Sequence, residues 1–366
     1  MSSATTPAWS FTTNGPPRAV LSRSRIPAPP FPPLPHPTEE YILVSVSRAA
    51  LNPGDLFTTH LVPSFMRSAG ATVPGLDLVG TVADVFCPPE MTARFAKGDE
   101  VVGLLVFAHI LATGRGALAG LVALPARYAV RVPEGRKGRD VAGLLVAGCT
   151  AVEMVDGAEA KAGDRVLAVG GSGGVGSMVV QMVREVVGRD GWVVGVCSEG
   201  SAGLVRELGC DEVVNYDVHE NVAEELAKRY GGQKFDAIVD AVGADMRIYT
   251  RCAEYLKPEG VYSSVGVKLG GFGLLNAVSA VWKMQMNALW PRATWLLGTG
   301  RTWKATTMMG PGLELMQCVV DMVGAGKLKV VVDSEWPFDQ VLEAYDVVMS
   351  GKAKGKVIIK VDGGDN

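Results

Sequence analysis

Residues 165–177 read Arg-Val-Leu-Ala-Val-Gly-Gly-Ser-Gly-Gly-Val-Gly-Ser, and no other stretch restricts the fold as tightly. The glycines give G-x-G-x-x-G at Gly171, Gly173 and Gly176, and G-x-x-G-x-x-G at Gly170, Gly173 and Gly176. An apolar run of strand length precedes them. Val175, Met178, Val179, Met182, Val183 and Val186 follow at helical spacing. Glycine permits the tight bend and lets backbone approach a pyrophosphate, while the opening turn of the helix offers unpaired N–H groups and a positive dipole end. A glycine-rich turn without a ligand is the bland alternative. The strand-and-helix units that follow favour a nucleotide cradle.

Strand candidates Arg165–Val169, Trp192–Cys197, Glu212–Asn215, Ala237–Asp240 and Val261–Val265 alternate with helical patterns, which implies a parallel sheet with crossover helices. After the second of them the chain reads Ser198-Glu199-Gly200-Ser201. An acid near this point bonds ribose hydroxyls and repels a 2′-phosphate, so Glu199 points to NADH, whereas Ser198 and Ser201 suit a phosphate and point to NADPH. The residues leave both open. Gly170 to Gly174 also fits the G-x-S-x-G elbow of a serine hydrolase, which requires an acid and then a histidine downstream. Only His219 follows, early among the β/α units, so Ser172 is read as part of the loop and not as a nucleophile.

With 366 residues, 48% of them hydrophobic, the chain has room for two domains with sizeable cores. Its 35 Lys and Arg against 38 Asp and Glu offer no basic field for nucleic acid. The six cysteines contain no C-x-x-C pair and are expected to be reduced and mostly buried. The longest charge-free run, Val166–Val183, carries five glycines and reads as strand, turn and helix, so no transmembrane segment is expected. Residues Met1 to Thr6 lack the basic and then apolar regions of a secretory signal, and a cytoplasmic location is the expectation.

Residues 1–40 are expected to be irregular, with seven prolines between Ile26 and Pro37 favouring an extended segment. From Tyr41 to about Val132 short β-like runs alternate with turns such as Asn52-Pro53-Gly54-Asp55 and Lys97-Gly98-Asp99, the pattern of a β-rich domain. The β/α rhythm starts near Ala147. After Gly310 a helix over Leu313–Val323 leads to Leu328–Val332 and then Gly355-Lys356-Val357-Ile358-Ile359. The expected divisions are therefore 1–146, 147–309 and 310–366, the last a return to the first domain.

Several of these stretches occur in an order that resembles a known family. They are Leu51 to Asp55, Pro74 to Gly80, Lys97 to Asp99, Val146 to Ala151, the glycine loop, Leu208 to Tyr216, Phe235 to Gly243 and Gly355 to Val357. Together they are similar to the medium-chain dehydrogenase/reductase superfamily, in its zinc-free quinone-oxidoreductase and enoyl-reductase branch, with fungal members the most alike. The first 40 residues and the region 267–310 match poorly.

The resemblance implies an α/β architecture: a GroES-like β-rich catalytic domain plus a Rossmann dinucleotide-binding domain, with the ligand cleft between them. By the same resemblance Gly171, Ser172, Gly173, Gly174 and Val175 hold the pyrophosphate. Ser198 and Tyr216 touch the 2′-phosphate of NADPH, with Ser201 where many relatives carry a lysine. Thr150, Val242, Gly243 and Gly266 line the nicotinamide side, and Lys356 reaches the cofactor. NADPH is the preferred cofactor, with NADH not excluded.

Zinc-dependent relatives bind their metal through Cys and His where this chain has Asn52 and Leu76, so no metal is expected. Without such a Lewis acid the implied reaction is hydride transfer to an electron-poor alkene, an enone or enoyl group, or to a quinone. The implied substrate is small and apolar, of the kind met in fungal secondary metabolism, and the protein acts as a monomer or homodimer. Candidate catalytic residues are Asn52, which either bonds a carbonyl or fixes a turn, and Asp55 and His60, which share with solvent the candidacy for proton donor. His36, His109 and His219 are read as surface or structural. Bulky residues between 267 and 310, among them Phe272, Leu275, Trp282, Leu289, Trp295 and Trp303, suit core packing or a cap over an apolar pocket. A catalytically silent nucleotide-binding or scaffold protein of the same fold is the rival reading.

Overall fold

The structure is a computed structural model that describes residues 5–33, 37–62, 64–67, 70–268, 271, 274–289, 298–306 and 310–361. The chain forms two units, Met1–Cys149 with Met309–Asn366, and Thr150–Met308. The first begins with β1 (Thr5–Ser10), β2 (Ser22–Pro27), β3 (Tyr41–Leu51), β4 (Asp77–Phe86), β5 (Glu100–Leu104), β6 (Leu121–Pro125) and β7 (Ala129–Arg131). The second holds β8 (Arg165–Val169), β9 (Trp192–Cys197), β10 (Glu212–Asn215), β11 (Phe235–Asp240), β12 (Leu256–Ser264) and β13 (Thr302–Ala305). The chain then adds β14 (Val332–Pro337) and β15 (Lys356–Lys360) to the first unit.

In the second unit all strand pairs are parallel, in the order β10-β9-β8-β11-β12-β13. Strands such as Val166–Val169 and Val193–Cys197 are apolar on both faces because helices cover both sides. Their side chains meet Leu226, Tyr230, Tyr255 and Tyr262 in one core. The winding direction reverses between β8 and β11. In open parallel sheets, ligands bind outside the carboxyl ends of the strands at such a reversal.

The first unit carries a mixed sheet, β14-β15-β3-β4-β5-β7, with β6 added to β3. Ile42, Val44 and Val46 alternate with less buried neighbours along β3, the period of a half-covered strand. The last four residues of β3 pair antiparallel with β15, Leu51 opposite Val357 and Arg48 opposite Lys360. That pairing brings Lys356 beside the Asn52 turn although 304 residues separate them in sequence.

One expectation needs correction. Residues 5–27 are not irregular: β1 and β2 pair antiparallel from Thr5–Pro27 to Ser10–Ser22, around the short helix Pro17–Val20. The ordering is long-range, since the buried Trp9 donates through Nε1 to the Phe338 carbonyl at 2.6 Å, and local patterning does not reveal it. After the helix Leu313–Gly324 the next strand starts at Val332 and runs to Pro337. Residues 166–183 form strand, bend and helix as expected, and among the described residues one other helical run, Gly138–Ala158, has the length and composition to cross a membrane, with 72% of its apolar window buried inside the protein.

The helix Leu274–Leu289 leaves Leu275, Trp282 and Leu289 at 84%, 65% and 77% exposure, so these are not core residues, whereas Trp303 in β13 is buried. His36, Phe272 and Trp295 lie outside the described residues.

Candidate active site

The bend after β8 is built by close approach. Gly173 N–H donates to the Gly170 carbonyl at 3.1 Å, and a Cβ on Gly176 would run into that same oxygen, so only glycine fits there. Gly171 sits against Val180 and Val205, Ser172 and Val175 are half-buried, and Gly174 completes the bend. The helix Gly176–Val187 follows with no side-chain cap. Among the described residues the N–H groups of Ser172, Val175 and Gly176 have no acceptor. Unspent donors at a helix N-terminus, on a bend too tight for a Cβ, are what a pyrophosphate requires. The residues fit the group.

Beside this bend lies the end of β11. The buried Asp240 carboxylate accepts from the N–H groups of Val242 at 3.0 Å and Gly243 at 2.9 Å through Oδ1, and from Tyr262 Oη at 2.7 Å through Oδ2. Burial, the largest influence, raises its pKa, and these donors pull it back. Gly243 has φ +60 and presses on the Gly266 carbonyl, a conformation and an approach open to glycine alone. Gly266 in turn donates to Ser264 Oγ at 3.1 Å. Val242, Gly243 and Gly266 are thus one small assembly, and Val242 also faces Gly170. Thr150 lies buried on the helix Leu144–Ala158. Sequence reasoning missed Asp240 as the brace of this assembly. An ionisable residue ending an apolar strand was the available signal.

At the end of β9, Ser198 Oγ and Ser201 Oγ are 3.0 Å apart, Ser201 is buried, and Tyr216 is exposed. Glu199 is exposed, and its Oε2 accepts from Asn215 Nδ2 at 2.7 Å.

The first unit holds a second polar cluster. Asn52 donates through Nδ2 to Asp77 Oδ2 at 3.0 Å and to the Ala50 carbonyl at 3.2 Å, and its Oδ1 accepts from Lys356 Nζ. Lys356 Nζ is also 3.5 Å from Asp77 Oδ2, Asp77 Oδ1 accepts from Val146 N–H at 2.9 Å, and Asn52 N–H donates to Asp55 Oδ2 at 2.7 Å. Lys356 is 4% exposed and Asp55 0%. Burial pushes the Asp55 pKa up to about 7, against the opposing pull of the Asn52 N–H and the Lys356 ammonium.

These contacts bear on the candidate catalytic residues. Both amide hydrogens of Asn52 are engaged, so it has none left for a substrate carbonyl and serves the turn. Asp55 is sealed from solvent. His60, at the end of the helix Asp55–His60, is half-buried, and its Nδ1 meets the Leu56 carbonyl at 2.9 Å and Thr59 Oγ1 at 3.0 Å. The ammonium of Lys356, expected at the cofactor, is enclosed here as an internal counter-ion. Sequence reasoning gave Asp77 no role, although an aspartate opening an apolar strand is a visible signal. His109 Nε2 lies 3.1 Å from the Ala123 carbonyl and His219 lies 3.9 Å from Glu225.

No group of three or more His, Cys, Asp or Glu side chains converges among the described residues, and Asn52 and Leu76 have no ligating chemistry for zinc. The donor set does not fit that metal.

Two family models match, the alcohol dehydrogenase GroES-like domain over residues 38–134 and the zinc-binding dehydrogenase over residues 208–359. A medium chain reductase from an Acremonium species is 33% identical over 91% of this chain and 93% of its own length. A trans-enoyl reductase from Penicillium oxalicum is 30% identical over 99% of each chain. Among solved structures, the quinone oxidoreductase of Coxiella burnetii superposes with a TM-score of 0.77 at 22% identity, covering 98% of this chain and 100% of that one. A mycobacterial protein complexed with NADPH gives 0.72 at 20%, covering 97% and 99%. Such similarity covers both units, and although one matching model takes its description from zinc, the positions where zinc-dependent relatives bind the metal carry an amide and a leucine here. The chain belongs to the medium-chain dehydrogenase/reductase superfamily, in its zinc-free branch of NAD(P)H-dependent oxidoreductases.

Proposed function

We propose that this protein is an NADPH-dependent reductase that saturates the activated C=C of an enone or enoyl group in a small apolar substrate, with quinones as the neighbouring substrate class. The observation that carries the reading is the tight glycine bend after β8, where the amides of Ser172, Val175 and Gly176 have no acceptor among the described residues. When bound, the nicotinamide supplies a hydride. The chain's own residues do the rest by placement. Gly171 to Val175 and the amide of Gly176 hold the pyrophosphate. Thr150, Val242, Gly243 and Gly266, braced by Asp240, shape the nicotinamide side, and Ser198, Ser201 and Tyr216 serve the 2′-phosphate. A conjugated C=C accepts hydride at its β-carbon without a metal on its oxygen, which agrees with the absence of a zinc donor set among the described residues. The enolate then takes its proton from solvent or from Nε2 of the half-buried His60, because Asp55 is enclosed. Relatives described as trans-enoyl reductases, and one from tomato described as a 2-methylene-furan-3-one reductase, support this choice of bond. A second reading, NADH linkage, is favoured by the carboxylate of Glu199.

The test is turnover with NADPH deuterated at nicotinamide C4 against a panel of enones, enoyl thioesters, quinones and alcohols. Deuterium at the β-carbon of a saturated product is expected. Tight binding of NADPH with no consumption on any acceptor overturns the reading in favour of a silent binding protein.

A further inference from the structure

We propose that Asn215 sets the cofactor preference of this protein by holding the Glu199 carboxylate aside, which leaves the hydroxyls of Ser198 and Ser201 to receive a 2′-phosphate. The inference rests on the dinucleotide reading above and concerns the same site.

Three residues close a ring across the ends of β9 and β10. Asn215 Nδ2 donates to Glu199 Oε2 at 2.7 Å, Glu199 N–H donates to Asp217 Oδ2 at 2.9 Å, and Asp217 N–H donates to Asn215 Oδ1 at 2.8 Å. Each donor finds an acceptor within the ring, so the Glu199 side chain is fixed rather than merely exposed. The sheet order gives its direction. Asn215 pairs with Cys197, and β10 flanks β9 on the side opposite β8 and the glycine bend. The carboxylate is therefore tied to the strand on the far side of β9 from the bend. An acid in the usual place after this strand bonds the ribose hydroxyls and repels a 2′-phosphate; tied to Asn215, it does neither.

What remains at the turn is the pair Ser198 Oγ and Ser201 Oγ, 3.0 Å apart. Two hydroxyls that share one hydrogen bond keep a second hydrogen free to donate, and an anion is a suitable acceptor. Charge makes the position of Glu199 matter. A carboxylate swung toward the serines would set its negative charge against a 2′-phosphate. Asparagine is the residue type that serves, because its amide donates to one carboxylate and accepts from a backbone N–H at once. An aspartate would keep the second contact and lose the first.

The experiment measures dissociation constants of NADPH and NADH by titration calorimetry for the wild type, Asn215→Asp, and the exchanged pair Asn215→Asp with Glu199→Gln. In Asn215→Asp the NADPH constant is expected to weaken about tenfold, the size of one lost charge-assisted hydrogen bond, with NADH changed less than about twofold. The exchanged pair keeps the net charge of the wild type and rebuilds the bond in the opposite sense, so the preference for NADPH returns. Equal weakening of both nucleotides in Asn215→Asp, or no recovery in the exchanged pair, overturns the role of Asn215. Failure of the wild type to bind either nucleotide overturns the dinucleotide reading itself, and the inference with it.

Discussion

In the second unit the bend after β8 leaves amides without acceptors among the described residues, while in the first unit Asn52, Asp77 and Lys356 spend their polar groups on one another. Both clusters are rich in family-like residues, and both follow or flank a strand end. They differ in what is left over. A site that recognises a ligand keeps donors in reserve, and a cluster that closes on itself anchors a fold. On this view Lys356 and Asp77 act on the Asn52 turn, and the glycine bend is the place proposed for the nucleotide.

The contrast can be broken by substitution. Lys356→Met removes the counter-ion of a buried carboxylate and is expected to cost about 3–5 kcal/mol in denaturant unfolding. A loss under about 1 kcal/mol would mean that the cluster is not an anchor. Gly176→Ala forces a methyl group against the Gly170 carbonyl, with an expected cost of about 1–3 kcal/mol. Its larger signature is in ligand binding, where NADPH affinity should fall at least about tenfold, the effect of losing one good donor contact. If stability drops and affinity holds, the bend is structural only.

Asp55 sharpens the comparison through pH. Its folded pKa of about 7 lies above the ordinary value of 3.8, so between those values the folded protein keeps a proton that the unfolded chain has released. Stability therefore falls as pH rises across that window. Asp55→Asn should flatten this slope, seen as a smaller difference in melting temperature between pH 5 and pH 8. An unchanged slope would place the titration elsewhere. The smallest effect is expected for Ser198→Ala, about threefold weaker NADPH binding with NADH unaffected, the loss of one hydroxyl contact.

Much of the second unit was legible in the sequence. Apolar runs bounded by glycine and acid mark β8, β9 and β11 within two residues, because strands buried on both faces carry their own signal. The first unit was harder. β1 gains its order from Trp9 meeting Phe338, a contact across most of the chain, and a run of polar residues and prolines conceals it. Site residues divide in the same way. Glycines declare themselves, since φ +60 at Gly243 or the crowding at Gly176 excludes other residues. Asp77, Asp240 and Asn215 act through partners that only the folded chain brings close, and one sequence shows them as ordinary polar residues at strand ends. Lys356 illustrates the limit: its position was visible, but its partners were not.

The most direct measurement is the titration of NADPH into isotopically labelled protein while following the backbone amide resonances of Ser172, Val175 and Gly176. A pyrophosphate received by these groups shifts all three downfield with one saturable dissociation constant. If they stay in place at saturating nucleotide while other resonances move, the phosphates lie elsewhere and the account of this protein as a dinucleotide-dependent reductase fails.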